Sequence, residues 1–313
     1  MQGINSLLLL RHRSKALLFA AFIATYILQT VLPAPDKAAL THYHLTTASA
    51  KVLGLTVIIP YIAIWVIALL GYLRLRTYSD TIARSKDGFA FHTISQGLWL
   101  LVLWPPLSAL ASGFSVEYYT AHPSATAMLT RWNNYFNLIL LFIAFWLLYK
   151  GSTKLIRLVK TPDYRYYQPT VLLFIAFSVL YTFLTLHDTV RNHASGSTLS
   201  TYYSSDWIII LTLIIPRLIS WYLGLLAVQN ILAYRRRVKG ILYQKALQRL
   251  AIGLGGVILS VIVLRMVQSL AAPIGKLGLG LLLILIFGLL AVIAVGYTLT
   301  AQGAKKLQKI EEL

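Results

Sequence analysis

The chain has little charge and no cysteine. Of its 313 residues only 12% are charged, 58% are hydrophobic, and the mean hydropathy is +0.71. Soluble domains carry about 25% charged residues, so this chain has too few charges to cover a water-facing surface. The composition excludes a soluble protein and predicts an integral membrane protein. The absence of cysteine excludes disulfides, thiolate metal ligands and cysteine nucleophiles.

Apolar runs are numerous and long. A bilayer core about 30 Å thick needs roughly 20 apolar residues per helix, and backbone polar groups in lipid must be bonded within the segment. The predicted fold class is therefore an all-α polytopic membrane protein with eight transmembrane helices. The predicted spans are 16–33, 53–73, 90–111, 133–150, 169–187, 207–228, 248–270 and 277–300.

Acidic residues are scarce, and the basic excess follows the spans. Nine Asp and Glu stand against 28 Lys and Arg, a formal net charge of +19. Of these cations, 21 precede the first span, lie in the even-numbered connections or lie in the tail. By the positive-inside rule, both termini are predicted to be cytoplasmic, in a multi-pass protein of the plasma membrane. Membrane lipids are then the expected partners of the positive charge, and nucleic acid is not an expected partner.

Rare residues recur along the chain at a nearly constant spacing. Pro60, Trp65 and Tyr78 are each followed 156 residues later by the same residue type, at Pro216, Trp221 and Tyr234. Glycines repeat similarly: Gly97 precedes Gly253 by 156 residues, and Gly151 precedes Gly303 by 152. Such spacing predicts a tandem duplication, with a first four-helix transmembrane repeat at 1–155. The second repeat, at 156–313, ends in a short cytoplasmic tail.

A repeat of four spans has a consequence for symmetry. Because four is even, both copies enter the membrane in the same direction, which predicts a parallel 4+4 repeat with a pseudo-two-fold axis along the membrane normal. Pro60 and Pro216 are predicted to kink their helices at equal depth, with Trp65 and Trp221 packing between helices. The pair Pro105-Pro106 is expected to break the third helix near its outer end.

Two arginines lie within spans. Arg217 falls near the bilayer middle, and an ionisable residue at that depth predicts a functional site. The competing interpretation is that Arg217 binds carbonyls freed at Pro216 or snorkels outward. Together with Arg265, it is the candidate contact for an anion or substrate, since two guanidinium groups suit a phosphate or carboxylate. Ion pairing to Asp188 or Asp206 is the alternative.

Other polar residues carry weaker signals. His187 and Asp188 are weak outer-face candidates for acid–base chemistry. The histidine spacing fits no compact metal motif, so we predict no metal site, no catalytic residues and no cofactor. The cytoplasmic connection 234–249, with Arg235-Arg236-Arg237, is the candidate docking point for a protein partner.

Three functions fit this pattern. The first is a transporter, channel or flippase for an anionic or amphiphilic solute, indicated by the duplication, the matched prolines and Arg217. The alternative is a membrane-embedded sensor or scaffold subunit of a larger complex. The third is an intramembrane lipid-modifying enzyme, which the sequence favours least because it has no nucleophile or metal motif.

Overall fold

The described part of the chain is helical throughout. The computed structural model describes residues 13–31, 47–121, 126–158, 168–195, 208, 210–275 and 279–311, and the side chains of a smaller set within them. Eight α-helices lie in these ranges, and a π-helical turn, Ile210–Ile214, leads into the sixth. The helices are α1 (Arg13–Val31), α2 (Thr47–Thr81), α3 (Lys86–Ala121), α4 (Thr126–Arg157), α5 (Gln168–Ser195), α6 (Ile215–Arg237), α7 (Ile241–Gly275) and α8 (Leu279–Glu311).

Five helical segments are long and apolar enough to cross a membrane. They are Ile59–Thr81, Trp132–Arg157, Ile210–Arg237, Ile241–Leu264 and Ile284–Ile310. Large apolar side chains such as Leu172, Val179 and Ile284 are exposed, which suits a surface that faces lipid. These are the features of an integral membrane protein. Among the described residues five spans meet the criterion, where the sequence predicts eight.

The prolines in the described part of the chain lie within helices or at a helix start. Each proline removes one backbone N–H from the helical ladder, yet α2 runs unbroken through Pro60 and α3 runs unbroken through Pro105 and Pro106. The predicted break in α3 is therefore wrong. Trp104, the residue before these prolines, is buried and donates from its indole to Asn137 of α4, so packing against α4 supports α3 at this point. Pro216 is the second residue of α6, which begins at Ile215 directly after the wider π-helical turn.

Helix pairs recur at a spacing of four helices. Within the first four, α1 packs on α2 and α3, α2 packs on α3, and α3 packs on α4. Within the last four, α5 packs on α6 and α7, α6 packs on α7, and α7 packs on α8. Two larger contacts join these sets, α4 with α6 and α8 with α2. Adding four to each helix number therefore reproduces the same set of packed pairs.

Glycines allow the closest helix approaches at matched places. A Cβ on Gly97 would lie 2.8 Å from the carbonyl oxygen of Ala144, and one on Gly253 would lie 2.6 Å from that of Gly296. About two turns farther along the α3–α4 pair, a Cβ on Gly151 would meet the carbonyl oxygen of Ala90 at 2.9 Å. The corresponding contact joins Gly303 and Ala246 at the same distance. The α3–α4 and α7–α8 pairs are thus packed through glycines at equivalent positions.

Candidate functional site

A cavity of about 280 Å³ lies between the first four helices and the last two. Its volume approaches the range of pockets that hold small ligands, roughly 300–1,000 Å³. The described side chains that line it come from α2, α3, α4, α7 and α8, and all of them are uncharged. They are Tyr61, Ile64, Trp65, Trp104, Pro105, Ser108, Asn133, Asn134, Asn137, Val257, Val261, Leu264, Ile286, Leu289, Leu290, Ile293 and Tyr297.

The α4 wall of this cavity is polar. Asn137 is buried, accepts a hydrogen bond from the indole Nε1 of Trp104 at 2.9 Å and donates to Asn133 at 2.9–3.0 Å. Asn134 is half-buried and has no hydrogen-bond partner among the described residues. A side-chain amide offers two donors and an acceptor with two lone pairs. The Asn134 amide is therefore free to bind a polar group in the cavity.

The wall formed by α7 and α8 is mainly aliphatic, with one phenol, that of Tyr297. Val257 and Val261 on α7, with Leu289 and Ile293 on α8, present only aliphatic surface to the cavity. Such surface is favourably covered by another apolar group, at roughly 25 cal/mol per Å² removed from water. A molecule that satisfies both walls must itself have a polar end and an apolar end.

Arg217 lies outside the described lining of this cavity. It is buried, and its guanidinium donates to the phenol oxygen of Tyr181 on α5 and lies 5.8 Å from the centre of that ring. Tyr61, which occupies the position 156 residues earlier, does line the cavity. Arg217 and Tyr61 thus hold matched positions on α6 and α2, and of the two only Tyr61 reaches the described cavity.

The two tryptophans are buried in different surroundings. Trp65 packs edge-on against Phe19 and Tyr61 and reaches the cavity. Trp221 packs edge-on against Tyr181, with ring centres 4.8 Å apart. Its indole Nε1 is buried without a hydrogen-bond partner among the described residues.

Three predicted site residues lie within described helices, but their own side chains are outside the described set. They are Arg265 on α7 and the pair His187 and Asp188 on α5. The predicted Arg217–Arg265 pair and the acid–base pair therefore stay predictions. Within the residues that the structure describes, no three His, Asp or Glu side chains come close enough together to hold a metal ion.

Hydrogen bonds join the two halves at the C-terminal ends of α2 and α6. The Tyr78 hydroxyl lies 3.2 Å from that of Tyr243, and the Tyr234 hydroxyl donates to a carboxylate oxygen of Asp87 at 2.7 Å. Position 243 follows position 87 by 156 residues. The two contacts therefore correspond to each other at a spacing of 156 residues, one between α2 and α7 and the other between α6 and α3.

The asparagines were not among the residues singled out from sequence. Their signal was present as three amides within the predicted span 133–150. The positions 152 residues later hold Leu285, Ile286 and Leu289. Only the cavity shows that this difference between the halves places an amide wall against an aliphatic wall.

No protein-family model, curated protein or solved structure matches this chain.

Proposed function

We propose that this protein is a transporter or flippase for an uncharged amphiphilic solute, which binds in the cavity between its two halves. The observation that carries the proposal is the pairing of the free Asn134 amide on one wall with aliphatic side chains on the other. A solute with a hydroxyl- or amide-bearing end would bond to the asparagines. Its apolar end would cover Leu289 and Ile293.

The cavity favours an amphiphilic solute over an anionic one. An anion in a site of low dielectric needs a cation or several donors close by, whereas the described lining is uncharged. Arg217 donates to Tyr181 instead of reaching the described cavity wall. An anion contact at Arg217 would therefore be a separate site, since this side chain contacts α5.

The architecture we propose is a parallel pair of four-helix units with both termini cytoplasmic. The recurrence of packed helix pairs supports this arrangement, as do the matched close approaches at Gly97 and Gly253. A cavity between two such units lies where a rocking motion of one unit against the other would expose it to each side in turn. This is an analogy of architecture to transporters.

A vesicle assay tests the proposal. The purified chain is reconstituted in phosphatidylcholine vesicles that contain a monoglucosylated lipid with an NBD-labelled acyl chain, and dithionite quenching from outside reports how fast the probe crosses. We expect the wild-type protein to accelerate this probe more than NBD-phosphatidylglycerol. Asn134→Leu should slow the glucosylated probe by about tenfold, the loss of one well-made hydrogen bond to the solute.

The matched control is Gln302→Leu, which removes an exposed amide from α8 away from the cavity. It should leave the rate unchanged. Equal rates for Asn134→Leu and the wild type would contradict the proposal. Saturable binding of the glucosylated lipid without any crossing would instead favour the sensor or scaffold function.

A further inference from the structure

A second group of polar side chains lies where α1, α2 and α3 meet, away from the cavity. Its cations are Lys15 at the start of α1 and Arg76 near the end of α2, and His92 on α3 lies beside them. The Lys15 ammonium donates to the hydroxyl of Tyr72. The nearest Arg76 nitrogen lies 2.8 and 3.0 Å from the two ring nitrogens of His92.

The charges in this group do not balance. Arg76 pairs with Asp80 at 3.1 Å, and no other carboxylate takes part in the described contacts of Lys15, Arg76 and His92. One guanidinium and one ammonium thus converge beside a single carboxylate and a titratable imidazole. Bringing like charges together in a partly desolvated place is unfavourable unless an anion joins them.

The pKa of Lys15 reflects this excess of positive charge. Burial lowers the pKa of its ammonium, and the positive charge of Arg76 lowers the pKa further, while Asp80 raises it only in part. A bound anion would act in the opposite direction and hold the lysine protonated.

The group also has a shape suited to a ligand. The rings of Tyr72 and Trp99 pack on each other, with their centres 4.8 Å apart, and form an aromatic pair. The Lys15 nitrogen lies 4.9 and 5.7 Å from their centres, close enough for cation–π attraction. The side chains of Arg76 and Asp80 are 22% and 25% exposed, so a ligand can reach Arg76 from outside.

The second half of the chain has no counterpart to this group. The positions that correspond to Lys15, Arg76 and His92, at spacings of 155 and 156 residues, hold Thr170, Leu232 and Gln248. A general need for positive charge on the cytoplasmic side would be met equally by exposed residues. That need does not explain why two cations converge beside one aromatic pair in the first half of the chain alone.

We propose that Lys15, Arg76 and His92 form a binding site for a phosphate group at the cytoplasmic side of the first four helices. Arginine and lysine supply charge-assisted donors to phosphate oxygens, and the Tyr72 and Trp99 rings would hold the Lys15 ammonium in place. The phosphate can belong to an anionic phospholipid of the inner leaflet or to a free phosphate ion. This site is independent of the cavity and of the proposed function.

Native mass spectrometry of the full, delipidated chain tests the site. We expect phosphatidylglycerol to bind more tightly than phosphatidylcholine to the wild-type protein. The double variant Lys15→Gln/Arg76→Gln should weaken phosphatidylglycerol binding by about tenfold or more, since it removes two charge-assisted contacts. Inorganic phosphate is titrated in parallel. Competition with phosphatidylglycerol at millimolar phosphate would identify the free ion as the ligand, and no competition would identify the lipid.

The matched control is Arg157→Gln/Lys239→Gln, which removes the same two charge types from exposed positions. It should retain the wild-type preference. Equal losses in the two double variants would overturn the proposal, because they would show an effect of net charge alone. Arg76→Lys keeps the charge and provides a second test in case the double variant fails to fold. If Arg76→Lys binds phosphatidylglycerol as weakly as the double variant does while its unfolding temperature is unchanged, binding needs the guanidinium itself. That result would support the site.

Discussion

At the scale of single residues, the closest helix contacts depend on hydrogen in place of a side chain. Gly253 faces the backbone of α8, and its Cβ would lie 2.5 Å from the backbone nitrogen of Thr300. Backbone atoms cannot move aside as the end of a side chain can. A methyl group at position 253 must therefore push α7 and α8 apart.

Gly253→Ala is accordingly expected to destabilise the protein by about 1–3 kcal/mol, the usual cost of overpacking a tight site. The measurement is thermal unfolding in detergent. Gly288→Ala on α8 is the control, because nothing lies within 4 Å of its added methyl group. It should leave stability unchanged or raise it slightly through helix propensity. Equal unfolding temperatures for the two variants would contradict this packing.

Arg217 and Tyr181 form the other residue-scale test. Tyr181→Phe removes the phenol oxygen that accepts from the guanidinium, so we expect a loss of about 1.5–3 kcal/mol, the range for a hydrogen bond to a charged group. Adding Arg217→Met to Tyr181→Phe should cost less than the sum of the single changes. A double-mutant cycle on unfolding measures this coupling.

Tyr222→Phe is the control, since that ring packs on Phe174 and not on Arg217. Strict additivity of the Arg217 and Tyr181 changes would show that their contact does not stabilise the fold. A variant Arg217→Met that keeps its stability but loses transport of an anionic solute would instead support the predicted anion contact.

At the scale of whole helices, hydropathy predicted most of what the structure describes. Apolar length alone places α2, α4, α6, α7 and α8, and the spacing of Gly97 and Gly253 identifies residues that pack alike. Proline was misleading in α3, because tertiary packing keeps a helix continuous where a bond is missing. The cavity could not be predicted, because which asparagine faces which leucine depends on helix rotation that one sequence does not encode locally.

The glycines of α7 and α8 also show that the sequence does not predict helix rotation. Their abundance predicts close approach of α7 and α8, and Gly253 and Gly256 do face α8. Gly255 instead lies against Val228 of α6, and Gly288 faces open space. Composition predicts that a helix pair is close, but not which of its glycines makes the contact.

The C-terminal ends of α2 and α6 supply a prediction at this scale. Tyr234→Phe removes the hydrogen bond to Asp87 that ties α6 to α3, so the start of α3 should open more often. We expect hydrogen–deuterium exchange of the backbone amides near Asp87 to rise by about tenfold, since a hydrogen bond to a charged group contributes about 1.5–3 kcal/mol.

Tyr149→Phe serves as the control, because Tyr149 packs on Trp146 within α4. Its exchange near Asp87 should match the wild type. If Tyr234→Phe also left exchange there unchanged, the contact would not hold the two halves together at this end.

At the scale of the whole molecule, the distribution of cations predicts the orientation in the membrane. The absence of cysteine makes this directly measurable, since every introduced thiol is unique. In intact cells, a membrane-impermeant maleimide should label His44→Cys and His122→Cys but not Lys239→Cys or Lys305→Cys. Labelling of Lys305→Cys before lysis would place the tail outside and contradict the proposed topology.

The central proposal is that an uncharged amphiphile occupies the cavity between the asparagines of α4 and the aliphatic side chains of α8. Photolabelling with an alkyl glucoside that carries a diazirine at the end of its chain, followed by peptide mass spectrometry, tests it most directly. We expect labels to concentrate on α8 at Leu289 and Ile293 and to fall sharply in Asn134→Leu. Labels spread over exposed apolar residues such as Leu172 and Phe183, and unchanged by Asn134→Leu, would contradict it.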